Sequence, residues 1–519
     1  MNRRRIYDMK VKNKTQVKDK LNYFKGGISM IFKKGIALLL ICVLCIGMFA
    51  SCTNEKENGL STDVKTTETP KTETPSPSPE SNVYEENGLP KDEEVTLKIA
   101  IFEGGMGREW SDFAMETFET KFPNVKFEPT YSPTIGTIIQ TKIAANDDED
   151  MFDLIMDRGG FSSLELVTND KVTPQEHLWD HKLYDTPDKT LKDAALEGIY
   201  ETTGRIDDIS YVLPMYTQTS GLFFDQNLFN EKGWNKAPKT WDEFIDLCEE
   251  IKKSGIVPIT FPGIYPAYLD RTFGVKNFEM AEIYGNLDVY ERNHRYYEGS
   301  QYTARENYGK WEKISELGER GYFPEGLAAL NHTQSQMQVL QHKAAMVSTG
   351  CFVENEMKDS TPEGFKWGFM GVPFSDDPDG TNWLLNNAGT GFFVWSGKPD
   401  LHIKWAEEFL VWLWNMDVQE VFAEKAGQLP VRNDFSEDPD RGEKLQDAPK
   451  SILEYMNKVN VRLENGYREV SLTDPRASQA TKLYQESIVS MCLGEKDYES
   501  VFEECEEILQ QAIKADLGN

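Results

Sequence analysis

The stretch that decides the fold is VTLKIAIF, Val95 to Phe102, which is followed by the polar turn Glu103-Gly-Gly105. Its length and its apolar, partly β-branched content are typical of a strand that is buried on both faces. Such strands belong mainly to parallel sheets covered by helices. This segment therefore predicts the first strand of an α/β region.

The segments that follow continue the same alternation. Trp110 to about Lys121 is predicted as a helix because Phe113, Phe118 and Phe122 lie on its apolar side. The next predicted elements are a strand from Val125, a helix near Ile135–Ala145 and a strand over Phe152–Met156. This strand and helix order predicts a doubly wound, mostly parallel α/β sheet.

Polar side chains follow two of these strands. Glu103 and Arg108 lie in the loop after the first strand, and Asp157 and Arg158 follow the third. Ligands of open α/β sheets bind beyond the carboxyl ends of the strands. We therefore predict these four residues as ligand-binding candidates, with a local Asp157–Arg158 ion pair as the alternative interpretation.

Charge and composition exclude one class of partner. The 519 residues include 56 Lys and Arg against 86 Asp and Glu, a net charge of -30. Nucleic-acid binding needs basic surfaces that neutralise phosphate, so this chain is not predicted to bind nucleic acid. The hydrophobic content of 39% is typical of a globular protein.

The N-terminus has the features of an export signal. A basic start is followed by the apolar run Gly35–Ala50 and then by Ser51-Cys52. The run has the length of a signal-peptide core, and Phe-Ala-Ser-Cys resembles a bacterial lipobox, in which Cys52 carries lipid (palmitate). We predict residues 1–51 to be an overlong start plus signal peptide, and the protein to lie lipid-anchored on the outer face of the cell membrane. An uncleaved anchor helix is the alternative.

Residues 52–94 are predicted to be a disordered linker. They contain Thr, Glu, Ser and Pro repeats such as TETPKTETPSPSPES, and such a segment lacks the apolar residues that a core needs. Cys248, Cys351, Cys492 and Cys505 are scattered through the remaining chain. We predict free thiols or at most one disulfide there.

Four segments carry a family resemblance. They are Leu213-Pro214 with Ser220–Asn230, Gly233–Phe244 with its Pro-Lys-Thr-Trp-Asp-Glu, Lys343–Phe352, and Ala406–Arg432. In this order they resemble extracellular solute-binding protein family 1, the maltose-binding-protein-like carbohydrate-binding lipoproteins of ABC importers. The resemblance spans residues 95–519.

The resemblance implies a clamp of two lobes, each a mostly parallel sheet flanked by helices. Lobe one is expected at 95–212 and 388–430, and lobe two at 213–387 and 431–519. Three segments are expected to cross between lobes, near Leu213-Pro214, Asn386–Gly389 and Leu429-Pro430. Gly389 and Gly391 are candidate hinge residues.

Sugars are bound by aromatic faces and by planar polar groups. By position in the family, Phe352 is implied as a stacking aromatic. The further candidates lie after the first crossing, in a Pro/Gly-rich loop and before the second crossing: Tyr216, Gln218, Tyr265, Tyr268, Trp383, Asn386 and Asn387. Core packing is the alternative for the tyrosines and for Trp383.

Motifs of other activities are missing from the sequence. It has no Walker A motif and no Gly-x-Ser-x-Gly nucleophile motif. His177 and His181 have metal-ligand spacing only if helical, and a solvated surface is favoured, so no metal and no cofactor is predicted. The expected partners are a sugar or oligosaccharide and the importer's permease, and the expected state is a monomer. The alternatives are a binding or sensing lipoprotein for another solute and, less favoured, a lipid-anchored glycoside hydrolase.

Overall fold

The computed structural model describes residues 82–157, 163–196, 198–203, 205–206, 209–388 and 390–518. The predicted signal segment, Cys52, most of the linker, Arg158 and Gly389 lie outside these residues. Within the described residues, no helix has the length and the hydropathy that crossing a membrane requires.

The strands of the described chain follow in sequence order. They are β1 Val95–Phe102, β2 Val125–Ser132, β3 Leu154–Met156, β4 Arg205–Ile206, β5 Ile209–Ser210, β6 Thr217–Asp225, β7 Val257–Thr260, β8 Ala344–Gly350, β9 Trp367–Met370, β10 Asn382–Ala388, β11 Phe392–Val394 and β12 Val461–Glu464.

The helices alternate with these strands. They are α1 Glu109–Lys121, α2 Ile135–Ala145, α3 Ser163–Thr168, α4 Leu191–Ala194, α5 Ile199–Thr202, α6 Gln226–Lys232, α7 Trp241–Lys253, α8 Asp270–Phe273, α9 Lys276–Ile283, α10 Leu287–Tyr296, α11 Arg305–Glu319, α12 His332–Leu340, α13 Val353–Met357, α14 Asp400–Trp412, α15 Met416–Lys425, α16 Pro439–Glu443, α17 Asp447–Met456, α18 Pro475–Cys492 and α19 Tyr498–Leu517.

The first sheet has four strands in the order β11-β3-β1-β2. β1 pairs in parallel with β2 and β3, and β11 is antiparallel to β3. Leu97, Ile99 and Ile101 pack in one core cluster with α1 and α14, whereas Ala100 packs on the opposite face with α2. Alternate side chains of a strand point to opposite faces, so helices cover both faces of this sheet. We call this sheet and its helices the first region.

The second sheet is mixed. Its strands run β12-β10-β6-β8-β7, and β9 also pairs with β6. β10 is parallel to β12 and β7 to β8, while β6 is antiparallel to β8, β9 and β10. A large core cluster joins this sheet to α6, α7, α11 and the C-terminal helices. We call this sheet and its helices the second region.

The start of α7 shows how the sequence fixes a helix end. Thr240 Oγ1 accepts a hydrogen bond from Glu243 N at 3.2 Å, as a capping threonine should. Glu243 Oε2 accepts from Lys239 N at 2.8 Å, one residue before the position that a reciprocal capping box would use. Phe244, Leu247, Cys248 and Ile251 are buried against the core.

Three described segments pass side by side between the two regions. Thr217 N donates to Leu429 O at 2.7 Å, and Met215 N donates to Thr390 O at 3.4 Å. A Cβ at Gly391 would stand 1.9 Å from Leu213 O, so only glycine allows this approach. These three segments therefore pack together as a ribbon that is held by backbone hydrogen bonds.

The four cysteines of the described chain are buried free thiols: Cys248, Cys351, Cys492 and Cys505. Burial raises the pKa of Cys351 to about 12, and it also raises the pKa of Cys505 to about 12. The expectation of free thiols in this part of the chain is therefore confirmed.

Candidate ligand site between the two regions

The first region contributes a charged loop to the site. Residues 103–108 follow β1, and Arg108 Nη2 lies 2.7 Å from Glu103 Oε1. The Arg108 guanidinium also lies 4.4 Å from the centre of the Tyr131 ring, at cation–π distance. Both charged side chains are well exposed. The loop therefore exposes the Arg108–Glu103 ion pair, and the guanidinium of this pair packs against the Tyr131 ring.

The second region meets this loop with α13. Asn355 Nδ2 donates to Gly105 O, and a Cβ at Gly105 would lie 3.0 Å from Glu356 Cβ. Because Gly105 has no side chain, the loop 103–108 and α13 can approach each other closely. We call this contact between residues 103–108 and α13 the junction.

Aromatic side chains of the second region lie behind α13. The His332 ring centre lies 4.7 Å from that of Tyr268 and 6.3 Å from that of Phe352. Tyr268 and Phe352 are both half-buried. Tyr268 is positioned by the loop after β7, Phe352 by the loop after β8, and His332 by the start of α12. Loops from separate parts of the chain therefore gather three rings at the same edge of the sheet.

A polar network connects these rings to the junction. His332 Nδ1 lies 3.3 Å from Glu356 Oε1, and Gln336 Nε2 donates to Glu356 Oε2 at 2.8 Å. Gln336 is fully buried, and its Oε1 has no hydrogen-bond partner in the part of the chain that the structure describes. Buried acceptors are usually paired, so this oxygen is an exception within the network.

The structure brings together part of the residue set predicted from the sequence. Glu103 and Arg108 lie at the junction, and Tyr268 and Phe352 lie behind it. Tyr265 is 54% exposed in the loop after β7. Asp157 follows β3, where its N–H donates to Gly391 O at 2.9 Å.

Gln218, Asn386 and Asn387 lie in the crossing segments. Gln218 Nε2 donates to Gln428 Oε1 at 3.2 Å, and Asn386 Oδ1 accepts from Thr219 Oγ1 at 2.9 Å. Asn387 pairs with Gln218 across β10 and β6. These amides hold the crossing strands together, and their role toward a ligand stays a prediction.

Tyr216 and Trp383 require a correction. Tyr216 is completely buried, 5.6 Å from Phe422 in the core of the first region. Trp383 is also completely buried, stacks on Phe278 at 5.7 Å and donates from Nε1 to Glu282. Rings that are packed in this way have no face left for a ligand, so neither belongs to the candidate site.

Sequence reasoning missed Tyr131, His332, Gln336 and Glu356. The sequence does mark the start of α12, because Asn331 and Gln334 form a capping box. It does not show that this helix start lies beside α13, since that contact depends on the tertiary fold.

The comparison with known families identifies the class of protein. A family model described as bacterial extracellular solute-binding protein matches residues 104–420. The chain belongs to this family. The match begins just after β1 and ends within α15, so it includes the crossing segments at Leu213 and Gly391 but not the one at Leu429. It confirms the resemblance seen in the sequence.

Two curated relatives bind sugars by name. The diacetylchitobiose binding protein NgcE of Streptomyces coelicolor is 25% identical over 54% of this chain and 58% of its own length. The multiple sugar-binding protein of Streptococcus mutans is 21% identical over 58% of this chain and 66% of its own length. The chain thus matches less than two thirds of the length of either relative.

Solved structures show the same fold. A chitin oligosaccharide binding protein aligns with a TM-score of 0.59 at 14% identity, over 81% of this chain and 99% of that one. The solute-binding protein RafE in complex with raffinose aligns with a TM-score of 0.58 at 15% identity, over 80% of this chain and 99% of that one. This likeness confirms the predicted two-lobed α/β clamp.

Proposed function

We propose that this protein is an extracytoplasmic receptor that binds a sugar or oligosaccharide at the junction and delivers it to an ABC permease. The junction and the three rings beside it carry the proposal, because together they combine the two devices that recognise sugars. Tyr268, Phe352 and His332 offer ring faces, while Glu103, Arg108 and Glu356 offer planar polar groups to hydroxyls. The sugar-binding relatives support the same reading.

The proposal treats the protein as a binding protein and not as an enzyme. Its relatives are named for binding, and the ATPase would be a separate subunit. Binding would act through closure of the two regions as lobes, with loop 103–108 and α13 meeting around the solute. The crossing segments at Leu213, Gly391 and Leu429 would serve as the hinge.

Anchoring through Cys52 completes the proposal. A lipid on this residue and an extended linker would hold the receptor at the outer face of the membrane, within reach of the permease. Replacement Cys52→Ser tests this part. Labelling of the wild type but not of the variant with radioactive palmitate is expected, and equal labelling of both would remove the anchor assignment.

The central experiment is a thermal-shift screen of the full-length chain against neutral sugars and oligosaccharides, with amino acids and peptides as controls. A ligand at one hundred times its Kd stabilises a protein by about 2.7 kcal/mol, which is a readable change in Tm. A rise in Tm with one sugar class, without formation of a product from that sugar, supports the proposed sugar receptor. A shift only with an amino acid or a peptide would leave a solute receptor but contradict the sugar assignment.

Phe352→Ala is the sharpest variant for the junction. Loss of a stacking ring is expected to weaken sugar binding by about 1–3 kcal/mol if the ring is a hot spot. Calorimetric titration measures the change, and Tyr296→Ala, at a ring that is 44% exposed on α10, is the matched control. Equal affinities of wild type and both variants would place the sugar elsewhere.

A further inference from the structure

The second region contains a cavity of about 670 Å³ that is partly open to solvent. Its walls come from α9, α10, α11, α18 and α19, together with the loop after β12. Among the described residues, none of the junction side chains lines this cavity. Ligand cavities of proteins commonly measure between about 300 and 1,000 Å³, so the space is large enough for a sugar ring with a substituent.

Aromatic rings and hydroxyls form much of the wall. They are contributed by Phe278, Tyr290, Tyr297, Tyr302, Trp311 and Tyr484. Asn277 is 6% exposed, and its Oδ1 has no partner in the described chain, although its Nδ2 donates to Tyr290 Oη. The wall therefore combines ring faces with polar groups that suit a hydroxylated ring.

The charged groups of the wall are mostly cationic. Lys310 and Arg468 face the cavity with one carboxylate, Asp270, and Lys482 stands at the exposed rim. Burial and the nearby arginines lower the pKa of His294 to about 3, so this ring is neutral. In a chain with a net charge of -30, a surplus of cations around one cavity points to an anionic ligand.

Two of these charged side chains already form hydrogen bonds with uncharged side chains. Asp270 Oδ1 accepts from Tyr484 Oη at 3.1 Å. Arg468 donates to Gln301 Oε1 at 2.6 Å, and its guanidinium lies 4.1 Å from the Tyr297 ring centre. These contacts hold both side chains in fixed positions on the wall.

Lys310 is the exception. It is 6% exposed, and within the described residues its Nζ makes neither a hydrogen bond nor an ion pair, although the charge of Asp270 acts on it. Burial lowers the pKa of this lysine. A buried cation without a hydrogen-bond partner is costly, and a carboxylate in the cavity would lower that cost beyond what the charge of Asp270 supplies.

We infer that this cavity is a second ligand site that takes a sugar ring bearing a carboxylate, such as a uronic acid residue. Lys310 pairs with the carboxylate, the tyrosines and Trp311 contact the ring, and Asp270 accepts from its hydroxyls. The inference is independent of neutral-sugar binding at the junction, because the two sites share no described residue.

Calorimetric titration of the full-length chain with glucuronate and galacturonate tests this site, with glucose and glucose 6-phosphate as comparison ligands. The expected result is uronate binding that persists in Phe352→Ala and, in that variant, at least tenfold weaker binding of glucose. Lys310→Met should weaken uronate binding at least tenfold, and Lys310→Arg should retain more of it because the charge remains.

Lys313→Met is the matched control. This lysine lies on the same helix, α11, with Nζ 4.7 Å from the Trp241 ring centre and away from the cavity. Uronate affinity should be unchanged in this variant and in Phe352→Ala. A cooperative thermal transition in each variant shows that it is folded.

Several outcomes would overturn the inference. Uronate binding that Phe352→Ala abolishes and Lys310→Met leaves intact would place the uronate at the junction. Equal binding of glucose by Phe352→Ala, or preferred binding of glucose 6-phosphate by that variant, would contradict selection of a carboxylate. No binding of either uronate would show a cavity that holds only water. The thermal-shift screen with neutral sugars is a separate experiment. If no neutral sugar binds in that screen, the uronate titration still tests the cavity.

Discussion

Gly391 shows what a single missing side chain does at the crossing. Because a Cβ there would stand 1.9 Å from the backbone oxygen of Leu213, Gly391→Ala must displace one crossing segment. Overpacking of this kind costs about 1–3 kcal/mol or more, so the free energy of unfolding should fall by at least that amount in urea titrations. Gly442→Ala in α16 is the control, since its Cβ would meet nothing within 4 Å. Equal stability of both variants would contradict the close approach.

Asp434 makes a second prediction at the residue scale. Arg432 is 2% exposed and pairs with Asp434 at 2.8 Å and with Asp185 at 2.7 Å. Burial alone would raise the pKa of Asp434, but hydrogen bonds from Arg432 and Lys189 outweigh it and lower the pKa to about 2. An unfolded aspartate titrates at about 3.9.

A carboxylate with a lowered folded pKa stabilises the protein above the unfolded pKa and loses this contribution as pH falls. The difference in unfolding free energy between wild type and Asp434→Asn should therefore be full above about pH 5 and shrink from about pH 4 to about pH 2. Asp359→Asn, at an exposed site, is the control for the substitution itself. If the difference in unfolding free energy between wild type and Asp434→Asn stayed constant across this pH range, the lowered pKa of Asp434 would be refuted.

At the scale of elements, α7 gives a test of helix capping. Thr240→Ala removes the acceptor for Glu243 N, and loss of an N-cap costs about 1 kcal/mol. Thr240→Ser keeps a hydroxyl and should retain most of the stability. Chemical denaturation of the three proteins measures the difference. Equal losses in the Ala and Ser variants would mean that the threonine methyl group, and not the cap, matters.

The sequence predicted elements better than their ends. β1 has the predicted bounds, and α2 likewise. The aromatic-rich sequence from about Pro399 to Met416 predicts one helix, whereas the structure has α14 and then the start of α15, because the chain turns between Trp412 and Met416. Apolar spacing continues through this turn, since Leu413 and Trp414 are fully buried, so the periodic pattern gave no sign of the break.

At the scale of the whole molecule, side-chain burial set the limit of prediction. Tyr216 and Trp383 had the residue types of a sugar site, yet they pack on Phe422 and Phe278, far away in sequence. Glu103 was predicted because loops at strand ends are where such folds bind ligands, and Phe352 was predicted from its position in the family. The role of both side chains toward a ligand stays a prediction. The cavity was missed because Tyr297, Lys310 and Arg468 come from separate elements that only the tertiary fold brings together.

The buried thiols give a prediction for the whole body. Burial raises the pKa values of Cys248, Cys351, Cys492 and Cys505, and reactivity requires an accessible thiolate. N-ethylmaleimide should leave all four unlabelled in the native protein and label all four in urea, as peptide mass mapping would show. Labelling of any of them without denaturant would indicate local opening of its core.

The crossing ribbon has a consequence for proteolysis. Three segments join the two regions within the described chain, at residues 213–217, at 386–388 with 390–391, and at 429–431, and they also hydrogen-bond to one another. A protease that cuts one of them leaves the others intact, so the fragments stay together as one particle in gel filtration and separate only in denaturant. A nicked receptor of this kind would still carry both halves of its junction.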